Sequence, residues 1–142
     1  MGVKIILDTN LWISFLISKR HTIIDELLFN REFILIFSKE LVGEFVSVAQ
    51  RPKFQKYFTV EDIINLLQLF DVYGEFCRVS SNLDICRDSK DNFLLNLAID
   101  SSSDFLITGD SDLLTLTKVG RTEILTWTDF VMKLKHLQGN KF

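Results

Sequence analysis

Short apolar runs that stop at a carboxylate constrain this chain more than any other feature. Val3–Leu7 (VKIIL) runs straight into Asp8, and residues 105–108 (FLIT) run into Gly109, Asp110, Ser111 and Asp112. A third run, Phe33–Phe37 (FILIF), ends at Ser38. Each is too short for a helix and mostly apolar rather than strictly alternating, as expected of strands buried on both faces. Helical patterns lie between them. Asp8, Thr9 and Asn10 are good N-cap residues for a helix over 11–18, and a second helix is expected over 22–29. Ser38 opens a third, which runs to about Gln50 and stops at Arg51-Pro52, because proline disfavours helix in the residue before it. Residues 59–73 form an amphipathic pattern, with Thr59 and Asp62 as its cap and Gly74 as its end. A helix over 88–100 and a closing helix from Thr126 complete the set, with short strands at 75–79 and 124–125. Buried strands alternating with helices predict an α/β domain with a mainly parallel sheet covered on both faces.

The chain has 142 residues, so a single domain over 1–142 is expected, with room for a full core. Thirteen Phe against one Pro exclude a linker-rich or disordered chain. No apolar run approaches the ~20 residues of a membrane span, and the start, MGVKIILDTN, is too brief and too acidic for an export signal. The expected location is therefore cytoplasmic, away from membranes. Cys77 and Cys86 form no metal pattern, and in that compartment they are expected as free thiols. His21 and His136 sit in no motif and are expected on the surface. A net charge of −3 argues against a generic basic patch for nucleic acid, but an acidic site neutralised by cations stays open.

The acids carry the functional argument. In open parallel sheets ligands bind beyond the carboxyl ends of the strands. Asp8 ends the first strand, and Asp110 and Asp112 end the run from Phe105, so two strands deliver acids to one edge. Two helical acids are candidates to join them. At about 100° per residue, Glu44 falls about 40° from Val48, on the border of the stripe formed by Leu41, Val42, Phe45, Val46, Val48 and Ala49. Asp91 shares a face with Leu95 and Ala98, its i+4 and i+7 neighbours, and so opens the buried face of its helix.

Each acid alone has a structural explanation. Asp8 can cap the following helix, Asp88 and Asp91 resemble a capping box, and Asp110 or Asp112 can cap the turn holding Leu113 and Leu114. Together they are harder to dismiss. Clustered carboxylates raise one another's pKa and call for a cation. Oxygen ligands with no Cys or His nearby select Mg2+ or Mn2+ over Zn2+. Such an ion activates water for in-line attack on a phosphoester and stabilises the leaving oxygen. Thr108 and Ser111 supply hydroxyls that either steady a ligand carboxylate or water, or serve turn and cap chemistry.

DTN after the first strand, the helix bearing Glu44, DSKDNFLLNLA and ITGDSDLL, in this order, resemble a PIN domain. The segment RPKFQKYF and the closing WTDFVMKL resemble one branch, the toxin components of toxin–antitoxin modules. The resemblance implies an α/β/α sandwich and a metal-dependent endoribonuclease for single-stranded RNA. It further implies Mg2+ or Mn2+, a homodimer and an antitoxin partner. It assigns Asp8, Glu44, Asp91 and Asp110 as the catalytic acids. Asp8, Asp91, Asp110 and Asp112 would touch the metal, with Asn10, Thr108 and Ser111 in support. The branch usually has Asp-Pro-x-Asp where this chain has Asp88-Ser89-Lys90-Asp91, a change of turn stiffness that keeps both carboxylates.

Arg51, Lys53 and Lys56, interleaved with Phe54 and Tyr57, are candidates for RNA contact by phosphate pairing and base stacking, as are Arg87 and Lys90 beside Asp88 and Asp91. A solvated turn after the helix, with two aromatics docked on the core, is the simpler account of the first group. Asn10 in place of a second Asp argues against an aspartyl-phosphate phosphatase. The absence of paired acids after the first strand argues against a phospho-acceptor receiver. RNA processing outside a toxin module and a non-catalytic PIN-like binding module are the alternatives, the latter recognisable by indifference to divalent ions.

Overall fold

The computed structural model describes residues 2–18 and 20–138. In chain order the elements are β1 (Val3–Leu7), α1 (Thr9–Ile17), α2 (His21–Phe29), β2 (Phe33–Phe37), α3 (Lys39–Ala49), α4 (Val60–Tyr73) and β3 (Glu75–Phe76). There follow α5 (Asn92–Ser101), β4 (Phe105–Ile107), α6 (Ser111–Leu114), β5 (Lys118–Val119), β6 (Thr122–Leu125) and α7 (Trp127–Gln138). Single 3-10 turns occupy Pro52–Phe54 and Ser89–Asp91. No helix among the described residues is long and apolar enough to cross a membrane.

The six strands form one sheet in the order β3-β2-β1-β4-β6-β5, parallel except for the β5–β6 pair. The central strand β1 has Ile5, Ile6 and Leu7 fully buried, and Leu106 and Ile107 of β4 are equally dry. Helices on both faces leave these strands no solvated side, which removes the usual alternation. One aromatic cluster joins sheet to helices. Phe37 of β2 stacks on Phe70 of α4 at 4.4 Å, and Trp12 of α1 lies 4.9 Å from Phe70. Gly74 turns the chain out of α4 directly beneath this stack. A Cβ there would stand 2.5 Å from the Phe37 ring, so only glycine lets β3 run alongside β2.

Most expected elements form, including the Thr59–Asp62 capping box and the Ser38 cap. Three departures have physical causes. The strand expected at 75–79 pairs only over Glu75–Phe76, after which residues 77–85 run without helix or strand. Thr122, fully buried, adds to β6 ahead of Ile124 by donating its hydroxyl to the Ser103 carbonyl at 2.6 Å. The helix expected over 88–100 divides. Asp88 caps the 3-10 turn Ser89–Asp91, and α5 begins only at Asn92. Asp91 is thus the N-cap residue of α5 and not its first buried turn. Both cysteines are free, Cys86 buried and Cys77 half-buried. The side chains of His21 and His136 lie outside the described residues.

Candidate metal centre

The chain leaves β1 towards β2 and β3 on one side and returns to β4 on the other. The β1–β4 junction is therefore where strand order reverses, and a crevice opens beyond the carboxyl ends of such a pair. Register does the rest. Leu7 pairs with Ile107, which brings Asp8 beside Thr108. The Asp8 amide donates to the Ile107 carbonyl at 3.0 Å. The Thr108 hydroxyl donates to Asp8 Oδ2 at 2.7 Å and accepts from the Asp110 amide at 3.0 Å. Asp110 Oδ1 in turn accepts from the Asp112 amide at 2.8 Å, capping α6.

Asp8 serves two roles that the sequence offered as alternatives. It caps α1, accepting from the Asn10 amide at 3.4 Å, and it stands on the site's floor only 5% exposed. Burial pushes its carboxyl above the usual range; the Thr108 hydroxyl and the Asn10 amide oppose that, and the charge of Asp110 adds to it. Asp91 reaches the same place from the other side. It makes no capping hydrogen bond at the start of α5. Burial comes first in holding its carboxyl up at about 7, followed by hydrogen bonding and charge from Asp110, then the charges of Asp8 and Asp88. Two ionised carboxylates only accept, so Asp91 and Asp110 can come together only with a proton or a cation between them. Asp91 Oδ2 is buried with no hydrogen-bond donor, and Thr9 Oγ1, next to Asp8, is buried in the same condition.

An orphaned oxygen on a carboxyl that itself resists ionisation, beside the carboxylates of Asp110 and Asp8, fits a hard divalent cation in its donor chemistry. Among the described residues, however, no three Asp, Glu, Cys or His side chains already stand in a ligand arrangement. One expectation is corrected: a cysteine is near. The Cys86 thiol is buried within reach of the charges of Asp91, Asp110 and Asp112, and burial followed by those charges pushes its pKa up. Both causes disfavour the thiolate that a soft metal would need, so the donors gathered here remain mainly carboxylate oxygens.

Glu44 is half-buried on α3, which packs against α1 and α5, but no hydrogen bond or ion pair ties it to the other acids among the described residues. Asn10 and Ser111 are exposed, Asn10 contributing its backbone amide and not its side chain. Asp112 is half-buried behind Asp110. Lys90 lies exposed on the 3-10 turn with its amide bonded to Asp88 Oδ1 at 3.1 Å. Arg51 and Lys53 are exposed beyond α3, with the Lys53 ammonium 5.0 Å from the Phe54 ring and Lys56 5.2 Å from that of Tyr57. Phe54 packs against the core while Tyr57 remains exposed, so one aromatic of that segment docks and the other does not.

The sequence reading passed over Asn92, whose amide group holds the turn carrying Asp91. Its Oδ1 accepts from the Cys86 amide at 2.9 Å and its Nδ2 donates to Asp84 Oδ1 at 2.8 Å. The signal was present as an Asn92, Asn96, Asp100 spacing along one helix stripe.

Comparison with known proteins identifies the family. The PIN domain family profile matches residues 4–112, a span that contains Asp8, Glu44, Asp91, Asp110 and Asp112. The chain is also 32% identical over 118 residues to the uncharacterized protein MJ1680 of Methanocaldococcus jannaschii, an alignment covering 80% of this chain and 75% of that one.

Proposed function

Because the chain belongs to the PIN domain family, a nuclease-type fold, we propose that it is a Mg2+- or Mn2+-dependent endoribonuclease hydrolysing phosphodiester bonds of single-stranded RNA. The observation that carries this reading is the buried, donorless Oδ2 of Asp91, set against Asp110 and Asp8 where the strand order reverses. In this reading Asp8, Asp91 and Asp110 hold the cation, Asp112 stands behind Asp110, and Glu44 completes the catalytic acids from α3. A bound Mg2+ or Mn2+ would supply charge neutralisation and an activated water. The residues themselves do the positioning. Thr108 holds Asp8 and the Asp110 amide together through one hydroxyl, and burial keeps the Asp8 carboxylate from turning into bulk water. Arg51, Lys53 and Lys90 would meet the phosphates, with Asn10 and Ser111 at the rim.

The experiment is cleavage of a labelled single-stranded RNA with Mg2+, with Mn2+ and with EDTA, alongside Asp8→Asn. Metal-dependent cutting lost in the folded mutant is the expected result. Full activity in Asp8→Asn, with unchanged metal dependence, refutes the assignment. The resemblance of RPKFQKYF and WTDFVMKL to the toxin branch supports a cytoplasmic toxin with a cognate antitoxin. Exposed Val60, Ile64, Val72 and Phe76 support a homodimer. One rival is a binding module that has kept the acids, which the same exposed apolar residues would also suit. That rival predicts no divalent-ion-dependent rise in melting temperature.

A further inference from the structure

One stripe of α5 carries amides and a carboxylate where a helix packed on a core would carry apolar groups. Asn92, Asn96 and Asp100 follow one another at i, i+4 and i+8, and all three side chains turn towards residues 80–86, which have no regular structure of their own. Asp100 accepts from the amides of Ser80 at 2.6 Å and Ser81 at 2.8 Å, and from the Ser81 hydroxyl. Asn96 accepts from the Leu83 amide at 2.7 Å and donates to the Leu83 carbonyl at 3.4 Å. Asn92 Oδ1 takes the amides of both Ile85, at 3.2 Å, and Cys86, at 2.9 Å, while its Nδ2 donates to Asp84. The helix side chains thus stand in for the neighbouring strand that the segment lacks, and they satisfy its backbone donors one after another.

The last rung differs from the others by what it encloses. From Cys86 the chain passes through Asp88 and the 3-10 turn to Asp91, then immediately to Asn92, which reaches back to Cys86. Asn92, only 8% exposed, closes a ring around the turn that presents Asp91 to Asp110. Asp91 makes no side-chain capping bond; within the ring its amide donates to the Asp88 carbonyl at 3.0 Å, and the ring ties that turn to the start of α5.

We propose that Asn92 is a positioning residue for the metal centre, setting the approach of Asp91 to Asp110 by clamping residues 84–91, while Asn96 and Asp100 only secure the segment upstream. This rests on the reading of the acids as a cation site. Loss of a hydrogen-bonding partner behind a ligand typically weakens metal binding about 10- to 100-fold.

The test is Mn2+ affinity of the purified full-length chain, by calorimetry and by the paramagnetic signal of free Mn2+, without RNA. The variants are Asn92→Ala, Asn96→Ala, Asp84→Ala and Asp84→Asn. Asn92→Ala should weaken Mn2+ binding by about tenfold or more, whereas Asn96→Ala should lower the melting temperature and leave affinity within about twofold. Asp84→Asn removes the charge but keeps an acceptor for Asn92 Nδ2. Asp84→Ala removes both, and should bind Mn2+ several-fold more weakly than Asp84→Asn. Wild-type affinity in folded Asn92→Ala, or equal losses in Asn92→Ala and Asn96→Ala, overturns the proposal. Should Asn92→Ala not fold, equal affinities in the two Asp84 variants overturn it. A wild-type chain that binds no Mn2+ refutes the cation site itself, and this inference with it.

Discussion

Asp91→Asn should make the metal-free protein more stable at pH 8, by an amount that can be worked out. A carboxyl raised from 3.8 to about 7 corresponds, at about 1.4 kcal/mol per pH unit, to a folded-state cost of ~4 kcal/mol once the group is ionised. Asp91 is only half-buried, and solvent screening brings that to about 1–2 kcal/mol. The sign follows from which state takes the proton. Between the unfolded value of 3.8 and about 7 the folded chain binds more protons, so stability falls as pH rises through that window and is level above it. Asparagine has the same shape without the charge and escapes the cost. At pH 8 in EDTA the variant should therefore melt about 3–6 °C above wild type, and the gain should vanish near pH 4. Adding Mn2+ should reverse the order, because the ion stabilises the carboxylate form and gains less from the amide. Calorimetric melts at pH 8, 6 and 4, with and without Mn2+, read all of this. A variant no more stable than wild type at pH 8 in EDTA, or a gain that persists unchanged to pH 4, refutes the reasoning.

Thr108→Val keeps shape but strips the hydroxyl that serves Asp8 and the Asp110 amide; it should lower stability by about 1–3 kcal/mol in denaturant titrations and weaken Mn2+ binding. The two glycines Gly43 and Gly74 should behave oppositely. Gly43→Ala, in α3 with open space around it, should gain about 0.5–1 kcal/mol, and Gly74→Ala, pressed on Phe37, should lose about 1–3 kcal/mol; equal effects would contradict the packing described. Ser102, exposed and left-handed at φ 52° behind α5, should gain ~0.5 kcal/mol as Ser102→Gly, since relieving the left-handed strain outweighs the added chain entropy. A melting temperature that falls instead would show that the serine is not strained there.

What could be read from the chain and what could not divides along physical lines. The central strands were legible because burial on both faces leaves Ile5, Ile6, Leu106 and Ile107 with no polar neighbours to interrupt them. The sheet edges were not. Lys118–Val119 is a two-residue strand with no pattern to read, and Thr122 joins β6 through a hydroxyl rather than through apolar character. Asp88 and Asp91 are both capping residues one turn apart. Pattern alone could not tell one helix from a 3-10 turn followed by a helix; the chain uses Asp88 as the cap and leaves the Asp91 side chain free of that role. For the candidate centre, strand ends alone put Asp8 and Asp110 at one edge of the sheet; the register and the Thr108 hydroxyl that links the Asp8 carboxylate to the Asp110 amide were not legible. Helix phase gave Glu44 a direction but no distance. Asn92, Asn96 and Asp100 were spaced in plain view, yet a polar stripe reads as solvated until a segment is seen packed against it.

The hydrogen bond from Thr108 to Asp8 spans a hundred positions of sequence, and it seals a pairing of the second-latest parallel strand to join the sheet with the first. A chain still growing from its N-terminus has β1, β2 and three of its helices available long before β4 exists. Until residues 105–110 emerge, Asp8 has neither its hydroxyl partner nor the opposing carboxylate, and Asp91 has nothing to face. Closing so long a loop is slow compared with forming local helices. No truncated product that stops short of β4 brings these acids together, so a prematurely terminated chain lacks the Asp8–Thr108–Asp110 arrangement altogether.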